Sequence, residues 1–385
     1  MISQHVYDFI YTFTSSKDLI LNFESMLIEQ IPAEMILFFI LYGITGVVPL
    51  IAALYLLLRR GNAIAPDVTP PVRLRRWAAS FFVVSTLAHV WWILFYIYSS
   101  DLHSVTYPVL GMADCVLLFT TFAGTLLAML QDRRRLVWPA LLAVIPFVAL
   151  WGTFVFYPNR LLEVITVAYI ILLYMFFTAY MVAAIRQYGR WLNDNYADLE
   201  NKKVWLCQTV ALVCMLLFIL YVLATDMVYI WFIHIFELVL VGLLLWRVET
   251  LPQLPTLVQQ QPTTAPVTID LEQIERLLKE HCVDKQLYLQ HDLSLQNLAQ
   301  AVGTNRFYLS QYFSRQSNTY NTYVNNLRIN YFISRYEKTV AAGQSVGVKQ
   351  LVHDSGFSSY RTFSRAFTQR MGQSVTAWMS EREGN

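Results

Sequence analysis

Apolar positions fall into long unbroken runs in the first two thirds of the chain and into helical stripes in the last third. The runs lie near 34–58, 77–98, 109–130, 137–157, 161–185, 204–225 and 228–246. Each holds roughly the 20 apolar residues that a helix needs to cross a bilayer, so the pattern predicts seven membrane-spanning helices. The last two are divided only by Asp226 and its neighbours, between Thr225 and Val228. From Asp270 onward apolar residues instead recur every three or four positions among polar ones, the mark of amphipathic helices in water. The predicted fold class is therefore all-α, a polytopic helix bundle followed by a soluble helical domain.

Composition agrees, because 56% of the 385 residues are hydrophobic and only 14% charged, with a mean hydropathy of +0.43. The net charge of +2 hides a division, since charges are sparse up to Trp246 and dense after Asp270. Arg59, Arg60, Arg73, Arg75, Arg76, Arg133, Arg134, Arg135, Arg186, Arg190, Lys202, Lys203 and Arg247 fall in connections on one side of the predicted bundle, against Lys17 and Arg160 on the other. Cytoplasmic loops retain Lys and Arg, which places the N-terminus outside and the C-terminus in the cytoplasm of a bacterial inner membrane. An odd number of spans agrees. No basic stretch with an apolar run and cleavage site opens the chain, so the first span is expected to direct insertion. Cys115, Cys207, Cys214 and Cys282 have neither disulfide nor zinc spacing.

Four regions follow: an extracytoplasmic segment over 1–33, a membrane domain over 34–247, a linker over 248–268 and a soluble domain over 269–385. In the first, Ile2, Val6, Phe9, Ile10 and Phe13 have helical spacing and lie on the membrane surface or cap the bundle. The linker, rich in Pro, Gln and Thr, reads as extended and poorly packed, too flexible to transmit torque.

In the soluble domain, Asp270 and Gln273 form a capping pair ahead of an apolar face of Ile274, Leu277, Leu278 and Cys282. Leu295, Leu298 and Val302 then make a stripe that Gly303 interrupts and Leu309, Tyr312 and Phe313 resume. Ala299 allows two helices to cross closely, so the pattern is helix, glycine turn, helix. It recurs with Leu351, Gly356, Phe357, Phe363 and Phe367. Thr322–Ala341 reads as a continuous helix between the two units. At 1.5 Å per residue its span of about 30 Å nearly matches one turn of duplex DNA.

The runs LSLQNLAQAVGTNRFYLSQYF, NNLRI, GFSSYRTFSRAF and MGQSVTAW resemble the DNA-binding domain of AraC/XylS transcription regulators over about 270–385. The whole arrangement is similar to membrane-bound AraC-type regulators of Bacteroidetes. Val352 and Ser355 depart from the usual small and apolar residues, and Tyr331, Phe332 and Tyr336 replace the usual end of the long helix. The resemblance implies that Arg306, Phe307, Ser310 and Gln311 face bases from the first recognition helix. Tyr360, Arg361, Thr362, Ser364 and Arg365 do so from the second. Arg315, Lys349 and Arg370 suit phosphate contacts, which supply affinity without sequence information. Thirteen Lys and Arg against ten Asp and Glu over 270–385 exclude a generic polyanion binder.

His89, Asp114, His234 and Glu237 fall within predicted spans, where ionisable groups are costly and become candidates for membrane sensing. His234 and Glu237 share a helix face at a spacing suited to a ligand or a metal, but structural pairing is the commoner outcome, and no metal or cofactor is expected. Two functions compete. One is a one-component sensor that binds promoter DNA; the other is a transporter or membrane enzyme carrying a DNA-binding domain for autoregulation. No enzymatic motif or kinase domain is visible, so the chain reads as a non-enzyme. The implied partners are double-stranded promoter DNA, the lipid bilayer, RNA polymerase, an unknown signal or partner protein and a second copy of the chain.

Overall fold

The computed structural model describes residues 33–59, 61–98, 106–223, 227–254, 271–316, 318–345 and 347–383. The described part is all-α, with no β-strand among the described residues. The chain divides into two compact units, one of Met1–Ile185 with Val204–Pro255, the other of Arg186–Lys203 with Thr256–Asn385.

The first unit follows the apolar runs. Its helices are α1 (Ala33–Leu58), α2 (Val72–Tyr98), α3 (Thr106–Ala128), α4 (Trp138–Phe156), α5 (Arg160–Asn195), α6 (Trp205–Leu223) and α7 (Met227–Thr250). Six of them, all but α6, are long and apolar enough to cross a membrane, and α6 carries a shorter apolar stretch over Trp205–Leu217. In the centre α2 packs against α1, α3 and α7. Small residues such as Ala53, Ala78 and Ala123 are fully buried there and let the backbones approach. The outward faces are apolar as well: Leu57 is 60% exposed, Leu161 65% and Phe176 72%. A surface of that kind is stable in hydrocarbon and not in water.

The arginine-rich connections meet in a polar layer at one end of this unit. Asn62 Nδ2 donates to the carbonyls of Val68 (2.6 Å) and Glu249 (2.9 Å), while the Glu249 carboxylate accepts from the amides of Ala63 (2.5 Å) and Ile64 (3.1 Å). Gln131 clasps the chain after α7, donating to Pro252 O at 3.0 Å and accepting from Leu254 N at 2.8 Å. The beginning of the predicted linker is thus not loose. Apolar Val248, Leu251 and Leu254 are buried, which carries α7 to Thr250 and packs the next four residues. The rest of the linker, the 1–33 segment up to Pro32, the Asp270 cap and the Asp226 hairpin lie outside the described residues.

The second unit departs from expectation at its start, because Arg186–Lys203, read as a loop of the membrane domain, packs with the C-terminal helices. Tyr188, Leu192, Tyr196 and Ala197 are buried, and Tyr188 Oη donates to Lys202 O at 3.1 Å to close the turn. Then come α8 (Leu271–Leu278), a π-turn, α9 (Leu295–Val302), α10 (Arg306–Arg315), α11 (Tyr320–Ala341), α12 (Val348–Asp354), α13 (Tyr360–Met371) and α14 (Val375–Glu383). One core gathers Ile274, Leu298, Ala299, Leu309, Phe313 and Val324, together with Ala197. The other gathers Ile329, Phe332, Tyr336, Phe357, Phe363 and Trp378. The 22 residues of α11 serve both, over a length of about 33 Å. Of the variant positions, Phe332 and Tyr336 are buried in the second core and Tyr331 is half-buried against the first.

Arg328 joins the two cores. It is fully buried, and its guanidinium donates to Tyr288 O (2.7 Å) and Gln290 O (2.8 Å) while lying over the Phe357 ring. Gly356 makes room: at φ +87 a Cβ there would meet Leu289 O at 2.8 Å and Arg328 Nε at 3.0 Å. Arg328→Met roughly keeps the volume but leaves the buried Tyr288 carbonyl and the part-buried Gln290 carbonyl without their guanidinium donor. It should destabilise the C-terminal unit by about 2–4 kcal/mol, read as earlier loss of amide protection in α11 during hydrogen exchange on the full chain. Unchanged protection would show that water satisfies both carbonyls.

Candidate nucleic-acid interface

Each recognition helix is defined by a cap. Ser294 accepts from Asn297 N to start α9, Gly303 at φ 73 ends it, and Asn305 accepts from Phe307 N to start α10. In the second unit Ser359 accepts from Thr362 N to start α13, and Gly372 at φ 72 ends it. Leu309, Tyr312 and Phe313 of α10, and Phe363 and Phe367 of α13, are buried, which turns the opposite faces outward.

Those faces carry most of the predicted readers. Phe307, Ser310, Gln311 and Arg315 are exposed on α10, as are Tyr360, Arg361 and Arg365 on α13, and Lys349 on α12. Thr362 and Ser364 are half-buried. Tyr360, Arg361, Ser364, Arg365, Thr368 and Gln369 line an open concavity. Arg370, expected at a phosphate, is directed to α11, donating to Asn326 O (2.5 Å) and Asn330 Oδ1 (2.6 Å).

Arg306 is engaged within the protein too. Its Nε and Nη2 donate to Asn195 Oδ1 at 2.9 and 2.5 Å, and burial lowers its pKa from the ordinary guanidinium value. The contact belongs to a series that sequence reasoning missed. Asn321 Nδ2 donates to Tyr196 O (3.0 Å) and Ala197 O (2.6 Å), and Lys202 Nζ donates to Asp292 Oδ1 at 2.8 Å. The Asp198 carboxylate accepts from Ser358 Oγ, and Glu200 Oε2 accepts from Ser359 Oγ and, at 3.1 Å, from Thr362 Oγ1. Burial and then the Arg365 charge lower the Lys203 pKa. The start of α13 therefore faces two carboxylates.

Among the residues expected to sense within the membrane, His89, His234 and Glu237 come together, their ligand atoms all within 4.8 Å. Asp114 stands outside that group and accepts a hydrogen bond from Trp92 Nε1.

A family model described as a helix-turn-helix domain matches residues 298–381. Residues 298–381 form an AraC-type helix-turn-helix domain. The matched stretch opens within α9 and closes within α14, so it takes in both turns and both recognition helices. No curated protein and no solved structure matches the chain. The helix-turn-helix domain makes this a DNA-binding transcription regulator.

Arg361→Ala and Arg365→Ala should each lower affinity for a selected duplex by about 1–3 kcal/mol while leaving random-sequence binding nearly intact. Lys349→Ala should weaken both alike and flatten the salt dependence. Mobility shifts with the full chain in detergent read both; equal losses on the two duplexes for the α13 arginines would remove them from base reading.

Proposed function

We propose that the protein is a site-specific transcription regulator embedded in the bacterial inner membrane, with its N-terminus outside and its helix-turn-helix domain in the cytoplasm. It acts as a one-component sensor, the helical bundle receiving a stimulus and the domain acting on promoter DNA. The observation that carries the reading is the union, in one chain, of a helix-turn-helix domain with helices long and apolar enough to cross a membrane. The exposed apolar faces of the first unit support embedding in lipid. The contact between two cationic connections, Arg73 donating to Arg135 O, supports the orientation, because connections rich in Lys and Arg are retained on the cytoplasmic face. Two recognition helices on one 22-residue helix support site-specific reading by a single domain.

A reporter that is active only outside the cytoplasm should work when fused near Asp101 and stay silent when fused after Arg134 or Arg247. Selection from a random duplex pool with the full chain should return a sequence spanning two successive major grooves. The reversed reporter pattern would put the domain on the wrong side of the membrane, and an unenriched pool would remove sequence-specific reading.

A further inference from the structure

Two imidazoles and a carboxylate converge inside the first unit: His89 from α2, and His234 and Glu237 from α7. His89 Nε2 lies 3.6 Å from Glu237 Oε2, and His234 is 8% exposed. Hydrogen bonds on the far side of each ring fix its proton. His89 Nδ1 lies 2.9 Å from Ser85 O, which only accepts, so Nδ1 carries the hydrogen and Nε2 the lone pair. His234 Nδ1 lies 3.2 Å from Thr45 Oγ1, whose own hydrogen is directed at Leu41 O (3.0 Å) or Tyr42 O (2.9 Å). That hydroxyl therefore accepts from Nδ1, and His234 also keeps its lone pair on Nε2. Glu237 is held by a hydrogen bond from Ser85 Oγ.

The centre of this cluster is lined by His89 Nε2, an imidazole nitrogen of His234 and the Glu237 carboxyl group, a donor set that suits a cation. A proton on His89 would serve Glu237 alone; a metal ion would draw on all three residues. We propose that His89, His234 and Glu237 bind one divalent transition-metal ion of the zinc class, with an open fourth position for water or a small ligand. Two nitrogens and one oxygen suit such ions, and outward hydrogen bonds from both rings are the support that metal-binding imidazoles use. The site ties α2 to α7 and, through Thr45, to α1. It does not depend on the DNA-binding reading.

The full chain, purified in detergent after growth with zinc, should retain about one zinc per chain through dialysis. Cobalt exchange should give the visible absorption of a low-coordinate site. His234→Gln and Glu237→Gln should lose the ion, the absorption and any rise in melting temperature on adding zinc, while Asp114→Asn keeps all three. Metal-free wild-type protein that shows no cobalt spectrum would overturn the proposal, as would an ion retained by both cluster variants.

A second inference rests on the separate contacts of Asn195–Glu200. This segment occupies Arg306, Ser358, Ser359 and Thr362, at the leading ends of both recognition helices. Two carboxylates stand at the N-terminus of α13, where a DNA phosphate would accept from the same hydroxyls. The segment and a duplex cannot hold these groups at once. We infer that Asn195–Glu200 is an autoinhibitory clasp that must leave before the domain engages DNA, its chain entering from α5 and leaving into α6. The inference rests on the helix-turn-helix domain binding DNA through α10 and α13.

Asp198→Ala with Glu200→Ala in the full chain should tighten specific binding on the order of tenfold. In the wild-type chain, amides of 196–201 should lose hydrogen-exchange protection when a selected duplex is bound, as verified by mobility shift. Unchanged protection in the bound state, or equal or weaker affinity in the variant, would make the segment a permanent part of the domain. Absence of any shift would instead count against the DNA-binding reading itself.

Discussion

The mutual orientation of the two recognition helices depends on a charge taken out of water. Arg328 is fully buried near the middle of α11, and its desolvation is offset by two backbone carbonyls in the turn ahead of α9, by the face of Phe357 and by the nearby Asp198 and Asp292 carboxylates. Those partners belong to both halves of the domain. A guanidinium can satisfy two carbonyls and an aromatic face in one plane, which a lysine's compact ammonium cannot. With Gly356 pressed against the same group, the second turn is held to the first through side-chain geometry as well as through α11. The length of α11 sets how far apart the reading heads stand; Arg328 sets how they are turned.

Most of the helical framework was legible because it is local. The apolar runs gave α1 to α7 within about five residues except at the end of α5, which continues ten residues past its run to Asn195, and the stripe broken by Gly303 gave α9 and α10 through sterics acting within four or five positions. Periodicity also identified Leu309, Phe363 and Phe367 as core, which left Gln311, Arg361 and Arg365 facing outward. What stayed hidden depends on contacts across long separations. Nothing near Asp198 and Glu200 in sequence announces Ser358, Ser359 or Thr362, some 160 residues away. Arg328 sits in a quoted motif, yet its burial follows from where Tyr288 and Phe357 come to lie. His234 and Glu237 shared a face in sequence, but the third ligand, His89, comes from a helix more than a hundred residues earlier.

The two ties between the units differ in kind. The Pro, Gln and Thr-rich stretch before Leu271 is a single covalent link of the sort that keeps a domain near its anchor without setting its state. The Arg186–Lys203 segment is continuous with apolar helices at both ends and also lies in the core of the DNA-binding unit through Ala197. A conformational signal needs differential contacts between two states, and the proposed release of Asn195–Glu200 would supply them.

Magnitudes decide whether such a clasp is useful. The hydrogen bonds that its two acids make to the start of α13 are part-buried, so their net worth is modest, and a coupling of about 1–3 kcal/mol corresponds to about 5–150-fold in affinity. Apparent affinity falls by the fraction of molecules whose clasp is open, whatever duplex is offered. Specific sites bind about 10³–10⁷-fold tighter than random ones, so a loss of this size is smaller than the gap between them throughout that range. It lowers occupancy of a promoter without erasing the ranking of sequences. The clasp blocks Arg306 and Thr362 but leaves Arg361 and Arg365 exposed, so the residues best suited to grip guanine remain prepared while the domain is closed. Releasing the segment then changes how often the domain binds, not what it reads.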